Sequence, residues 1–403
     1  MEYINTPINK IGRVVTGKTP STAKPEFYGG EIMFITPTEL HAEFVVESSE
    51  KTITQKGFNS IKSNTISGTS VMVGCIGWDM GNVALCIETC ATNQQINSIT
   101  EIGDKYNPLY LYYWLKTKKD YLFSIASVTR TPILSKGVFE EIIVPIPEKD
   151  AQNAIVGVLS SIDKKIALNN HVNDNLQQQL KLMYDYWFTQ FDFPDENGKP
   201  YKSSGGKMVW NVQLKRDIPV GWQVKPLSQI IKKNVEAFDY SSIQPAIDLS
   251  VMPSNSIALS EINTSDNFTT NLFKMKKGDI LFGSIRPYLH KAGFAPCDGV
   301  VAGTVHSYRA IDKHDSNFAL FTISCDAFFD YAVNVSSGTK MPVVSSDSIL
   351  DYQVPYNSDI AKRFGENSII ETISSNIQES KRLISLRDWL LPMLMNGQAT
   401  ISD

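Results

Sequence analysis

The chain repeats itself once, and that repeat constrains its fold more than any other feature. Residues 127–145 read SVTRTPILSKGVFEEIIVP and residues 337–355 read SGTKMPVVSSDSILDYQVP. Pro132 and Pro342 stand 210 residues apart, as do Pro145 and Pro355, Thr129 and Thr339, Ser135 and Ser345, and Val144 and Val354. Tyr121 with Tyr331, Asn107 with Asn317, and Gly68 with Gly278 extend the same spacing upstream. An ordered set of matches at one separation points to two copies of one architecture. In each copy a polar loop ending in a basic residue, Arg130 or Lys340, precedes the first proline, and an apolar run leads to the second. The loop reads as a turn and the run as a strand. A duplicated strand is equally compatible with a simple core element, whereas the exposed Ser/Thr/basic loop is the better working surface.

A heptad pattern follows each copy. Ile155, Leu159, Ile162, Ile166, Asn169, Asn173, Leu176, Leu180, Met183 and Trp187 step by alternating four and three residues, the seam of a coiled coil. Free of proline from Asp150 to Phe188, this helix would run close to 60 Å at ~1.5 Å per residue. The second seam passes through Ile369, Ile373, Asn376, Ser380, Leu383, Arg387, Leu390 and Leu394. Both seams have polar middles. Asn169, Asn173, Asn376 and Ser380 therefore read as register-setting residues, at a cost in stability. Antiparallel pairing with Asn173 opposite Ser380 is the expected alignment. Pro392 should kink the second helix and Gly397 end it. Residues 190–216, rich in Gly, Pro, Lys and Ser, read as a connector with a turn at Asn197-Gly198.

At 403 residues the chain has room for two or three domains. Its apolar content of 42% and charged content of 20% are those of a soluble globular protein. With neither a leader pattern nor an apolar run long enough for a membrane span, the expected location is the cytoplasm. The five cysteines are scattered, which fits reduced core thiols. Cys86 and Cys90, even with His41, lack a second ligand pair at zinc-site spacing. A net charge of -4 and a pI near 5.8 argue mildly against a nucleic-acid partner unless the basic residues gather on one surface.

Two motifs invite catalytic readings. Gly12-Arg-Val-Val-Thr-Gly17-Lys18-Thr19 spells a phosphate loop, but Pro20 and Pro25 follow where a helix should open. Asn107-Pro108-Leu109-Tyr110 resembles the Asn-Pro-Pro-Tyr motif of amino-methyltransferases with one proline missing, and it runs into Leu111-Tyr-Tyr-Trp-Leu115, the first turns of a core helix. No Gly-x-Ser-x-Gly or His-Glu-x-x-His is present, and the histidines are isolated. The chain reads as non-catalytic.

The whole arrangement resembles the specificity subunit of type I restriction-modification systems. The residues that carry the resemblance are Thr129-Arg130-Thr131-Pro132, Ile143-Val144-Pro145-Ile146-Pro147, Ala151-Gln152, Ile155 through Ile162-Asp163, and Leu390-Leu391-Pro392-Met393-Leu394-Met395-Asn396-Gly397-Gln398. Gly17-Lys18-Thr19-Pro20 resembles the opening of that family's first recognition domain. Two departures are Ala151-Gln152, where the family has Glu-Gln, and the weaker Val354-Pro355-Tyr356-Asn357-Ser358 in the second copy. The resemblance implies an α+β fold with two pseudo-repeated target recognition domains, held apart by two long antiparallel coiled-coil helices. It divides the chain into a first recognition domain at 1–147, a central helix at 148–189, the connector at 190–216, a second recognition domain at 217–355 opened by Ile218-Pro219-Val220-Gly221-Trp222, and a C-terminal helix and tail at 356–403. It also implies a bipartite double-stranded DNA target, two docked modification (methyltransferase) subunits, and motor-nuclease restriction subunits. S-adenosylmethionine, ATP and magnesium would then bind partners, with no cofactor or metal in this chain.

The expected DNA-facing residues are Lys18, Thr19, Arg130 and Lys136 in the first half and Arg286, His290, Lys291 and Lys340 in the second. Phosphate contacts would position each domain while a few side chains read base edges. A non-DNA interaction scaffold would explain the acidic pI, and a nucleotide-binding protein would require the phosphate-loop letters to function.

Overall fold

The structure is a computed structural model that describes residues 2–41, 44–128, 130–240, 242–399 and 401. Thr129, one of the repeat matches, lies outside the described residues. The fold is α+β and divides into two compact units, one of residues 1–167 with 382–403 and the other of residues 168–381.

The two units share one topology. In the first, Arg13–Thr16, Ile96–Thr100, Ser70–Gly74 and Val83–Cys86 form one sheet in that order, and Lys51–Ile53, Tyr28–Ile35, Cys90–Thr92 and Thr65–Ile66 form another. In the second, the corresponding orders are Ile231–Lys233, Val305–Ala310, Ile280–Gly283, Ala292–Phe294, and Asn263–Thr264, Pro245–Ile247, Gly299–Ala302, Leu272–Met275. Even the parallel pairing recurs, Tyr28–Ile35 with Cys90–Thr92 and Pro245–Ile247 with Gly299–Ala302. Gly68 and Gly278 hold left-handed backbone (φ 66° and 87°) at the turns leading into equivalent strands, a conformation open to glycine without penalty. Every residue of Ser70–Gly74 and of Ile280–Gly283 is buried, as expected of central strands covered on both faces.

The repeated segment folds differently from its sequence reading. The run between the prolines is not one strand. It comprises the short strand Pro132–Ile133, the helical turn Lys136–Glu140 and the strand Ile143–Ile146. Ser135 Oγ accepts from Val138 N at 3.4 Å and Ser345 Oγ from Ser348 N at 3.0 Å, so the duplicated serine is a duplicated helix cap. The second prolines lie in strands that pair with the start of each copy, Ile4–Pro7 with Ile143–Ile146 and Gln223–Pro226 with Gln353–Tyr356.

Asn107 caps the helix Pro108–Lys116, whose Tyr110 to Leu115 are all buried against the sheet. Its counterpart Ser316–Ser324 buries Asn317 through Ile323. No single described helix is long and apolar enough to cross a membrane, and the bent pair Lys313–Ser324 and Asp326–Val335, which matches in composition, supplies core side chains such as Phe318, Phe321, Phe328 and Phe329.

The first long helix, Lys149–Tyr184, has 36 residues and passes into a π-turn at Asp185–Thr189. The segment expected as a single C-terminal helix is two, Ser358–Gly365 and Ile369–Met395. The first of them ends at Gly365, where a Cβ would sit 2.2 Å from the His314 carbonyl oxygen. Ile369–Met395 continues through Pro392 and ends where Gly397 turns left-handed (φ 68°), with Gln398 N donating to Met393 O at 2.9 Å.

The helices run antiparallel within each unit. In the first, Ile155, Val156 and Leu159 share a core with Leu391, Leu394 and Met395. In the second, Leu180 shares one with Ile373 and Ile377. The polar middle pairs one turn away from the expected alignment. Asn169 Nδ2 donates to Ser380 Oγ at 3.2 Å and to Glu379 Oε2 at 2.9 Å, and Asn376 Nδ2 donates to Asn173 Oδ1 at 2.9 Å. In this register each of the four seam residues has a polar partner across the pair.

Of residues 190–216, Phe191 and Phe193 are buried and pack on Trp222 with ring centroids 5.3 Å away in each case. Asn197-Gly198 forms a turn closed by Asp195 and Lys199, and Met208–Asn211 makes a hairpin with Arg216–Pro219.

Candidate nucleic-acid interface

Each unit carries a small hairpin with a basic residue in its turn. In the first, Ser127–Val128 pairs with Pro132–Ile133 and leaves Arg130 exposed. In the second, Ser337 and Val343 exchange both backbone hydrogen bonds, at 2.9 and 2.8 Å, around an exposed Lys340. Gly338 supplies the left-handed residue (φ 99°) that this turn needs.

Both hairpins dock on the loop that joins two central strands. Ile76 bridges Ile133 and Ile285 bridges Val343. Gly77 N donates to Pro132 O at 3.0 Å, and Arg286 N to Pro342 O at 2.8 Å. The repeated first proline thus presents its carbonyl, free of any donor on its own nitrogen, to a fixed neighbour. Arg286, itself left-handed (φ 54°) and exposed, is thereby brought beside the hairpin that carries Lys340.

A chain of contacts connects Thr19 to the hairpin that carries Arg130. Thr19 Oγ1 donates to Gln94 Oε1 at 2.8 Å, Cys75 N to Gln95 O at 2.7 Å, and Leu134 N to Cys75 O at 2.9 Å. The chain of contacts links that segment through the loop to the hairpin. The letters that spell a phosphate loop form the strand Arg13–Thr16 and its exit, and no helix opens at Lys18-Thr19. Gly17 is there because a Cβ would lie 2.2 Å from Asn93 O. In the second unit the strand exit is Val235-Glu236, with Glu236 paired to Lys274 at 2.9 Å, so the two surfaces differ in charge at this place.

Three of the expected residues have other engagements. Lys136 is exposed and pairs with Glu140 one helical turn on, at 3.4 Å. Lys291 Nζ donates to Leu249 O at 2.6 Å. The His290 ring stacks on Phe329 at 4.3 Å and stands 3.6 Å from Asp326. These last two side chains, each half-buried, make their contacts beside the loop that holds Arg286.

Sequence reasoning missed a buried polar network in the first unit. Tyr113 Oη donates to Asp163 Oδ2 at 2.6 Å, and Arg387 Nη1 to Asp163 Oδ1 at 2.8 Å. Burial, then the Asp163 charge, pushes the Tyr113 hydroxyl far above its ordinary range, so it stays a donor. The available signal was Arg387 interrupting an apolar seam that carries Asp163 on its partner helix.

Among the described residues no three His, Cys, Asp or Glu side chains gather as a ligand set. Cys86 and Cys90 hydrogen-bond to each other at 3.1 Å, and His41 pairs with Asp79 at 2.9 Å. Burial raises the Cys75 thiol to about 12, leaving it inert as a nucleophile.

Residues 4–178 match the family model described as "Type I restriction modification DNA specificity domain". The chain is 31% identical over 229 residues to the type I restriction enzyme MjaIX specificity subunit of Methanocaldococcus jannaschii, covering 56% of this chain and 50% of that one. It is 30% identical over 174 residues to the HindI specificity subunit of Haemophilus influenzae, covering 42% and 38%. The chain thus spans half or less of the length of these two curated relatives. The fold is that of the crystal structure of a type I restriction-modification S subunit from M. genitalium, at a TM-score of 0.57 and 13% identity, over 100% of this chain and 97% of that one.

Proposed function

We propose that this chain, whose residues 4–178 match the type I restriction modification DNA specificity domain and which is similar to curated specificity subunits over half or less of their length, reads a bipartite double-stranded DNA target, one half-site per unit, and performs no catalysis itself. The observation that carries the proposal is the duplicated basic hairpin, Arg130 in one unit and Lys340 in the other, docked on equivalent loops. A turn that offers a cation from a rigid base suits a phosphate oxygen. Gathering cations at such turns answers the objection raised by the net charge of -4, because binding responds to local potential more than to the sum.

On this reading the divergence outside the repeated frame, Lys18-Thr19 against Val235-Glu236, gives two different half-sites. The long helices set the number of base pairs between them and offer the surface on which two modification subunits assemble, with restriction subunits joining the complex in the cytoplasm. S-adenosylmethionine, ATP and magnesium bind those partners.

The test is duplex binding by the full chain as a function of salt. Each phosphate contact contributes about 0.9 to the slope of log affinity against log salt. Arg130→Gln and Lys340→Gln should each weaken binding and lower the slope by about one. Wild-type slopes in both variants would remove the phosphate role, and no duplex binding by the wild-type chain, with or without a modification subunit, would overturn the function.

A further inference from the structure

We propose that Trp78 and Tyr288 are base-contacting residues, one for each half-site. This inference rests on the DNA reading above and deepens it by separating side chains that touch bases from those that touch phosphates.

The two rings occupy one structural element. Loop 75–82 joins Ser70–Gly74 to Val83–Cys86, and loop 284–291 joins Ile280–Gly283 to Ala292–Phe294. Both loops hold left-handed residues at two corresponding positions, an alignment that sets the two rings one residue apart, Trp78 opposite Pro287 and Tyr288 opposite Asp79. The left-handed positions are Gly77 (φ 103°) and Gly81 (φ 90°) in one, and Arg286 (φ 54°) and His290 (φ 50°) in the other. An arginine and a histidine held where glycine is comfortable mark a loop whose shape is kept despite strain.

Each loop also exposes a large aromatic ring. Trp78 is 70% exposed and Tyr288 51%. Both loops are tied to their surroundings. Asp79 is bound by Lys119 at 3.0 Å and His41 at 2.9 Å, and Asn82 by Lys119 at 2.8 Å. The Trp78 ring is steadied by Phe123, with centroids 6.0 Å apart. Around Tyr288, Leu289 N donates to Arg286 O at 2.9 Å and Asn255 N to His290 O at 2.9 Å, while His290 and Lys291 make the contacts described above. These last two are positioning residues.

A fixed apolar ring in water is unfavourable for the free chain, so the occupant should offer an apolar face. The neighbouring hairpin offers a cation, so the occupant should carry negative charge beside that face. Nucleic acid meets both demands within a few ångströms, with phosphates outside and base faces and edges in the groove. The apolar surface continues onto the same hairpins through Ile133 (41% exposed) and Met341 (54% exposed). Loop and hairpin together form a unit in which the cation positions the duplex and the ring reads it.

The experiment selects duplexes from a randomised pool with the full chain and compares the enriched motifs of wild type, Trp78→Ala and Tyr288→Ala. Wild type should enrich two separated motifs. Trp78→Ala should lose preference at one of them by about tenfold or more, leaving the other intact, and Tyr288→Ala should do the converse. Salt slopes should be those of wild type, because no phosphate contact is removed. Melting temperatures serve as the folding control, and Trp78→Leu replaces the alanine variant if that one melts early. Two intact motifs in both ring variants, or a ring variant that lowers the salt slope, would overturn the inference alone. A wild-type chain that enriches no motif would overturn the DNA reading and the inference with it.

Discussion

Replacing Asp163 by alanine should be among the most damaging single changes in the first unit. Its carboxylate is 2% exposed and accepts from Arg387, whose side chain is 11% exposed, and from Tyr113. With Asp163 gone, Arg387 keeps Asp388, itself 58% exposed, at 3.0 Å, and its guanidinium remains largely buried. Removing one member of a buried pair costs about 3–5 kcal/mol, which in a unit of this size lowers the melting temperature by roughly 6–20 °C. The cost arises from the stranded charge, so replacing both partners by apolar residues of similar volume should recover most of it. The assay is urea denaturation of wild type, Asp163→Ala, and the double variant Asp163→Leu/Arg387→Met, with hydrogen exchange followed in residues 155–167 and 387–395. Exchange in both segments should accelerate together in the single variant. A loss below about 1 kcal/mol, or a double variant no more stable than the single one, would refute the argument that this network ties the C-terminal helix into the unit.

Three further outcomes follow from the same geometry. Ser135→Ala and Ser345→Ala should each cost about 1 kcal/mol in denaturant titrations; no loss in either would mean that the duplicated serine is not a cap. His306, half-buried and 3.3 Å from Val344 O, has its ring held below its ordinary range first by burial and then by the charge of Lys233. The unfolded chain therefore protonates first as acid is added, so this group's contribution is complete above the unfolded value of about 6.5 and is lost as pH falls through the lower folded value. Denaturation between neutral pH and pH 5 should be less pH-dependent in His306→Gln, and an unchanged profile would contradict the assignment. Deleting one heptad from Lys149–Tyr184 removes about 10 Å of helix. It should change the distance between half-sites in selected duplexes or abolish assembly, and an unchanged distance would end the spacer role.

The duplication was legible because it rests on residues whose chemistry is local. Gly68 and Gly278 take the same left-handed turn, and Ser135 and Ser345 cap the same helical turn. What that serine does was not legible, since Val138, Phe139, Ile142 and Val144 fit a strand or a short helix equally well. The helical seams were readable from their period, but their alignment depends on which polar atoms meet across two helices. Asn169 finding Ser380, and not Asn173, is a fact of three dimensions. In the candidate site, Arg130 and Lys340 stood out because the repeat marks their loops. That Phe329 stacks on His290 and Leu249 accepts from Lys291 was not legible, because both partners come from distant segments. Trp78 and Tyr288 stand 210 residues apart, at the repeat's own spacing, but escaped notice because no matching neighbours mark them and the left-handed residues of their loops align at 209, Gly77 with Arg286 and Gly81 with His290.

The most direct measurement is a genome-wide map of methylated sites in cells that express this chain with a type I modification (methyltransferase) subunit, compared with cells lacking the chain. Two distinct short half-sites at one fixed separation, appearing only with the chain present, are the predicted result. A single uninterrupted motif, or the same methylated sites with and without the chain, would contradict the claim that its two units each read one half of a DNA target.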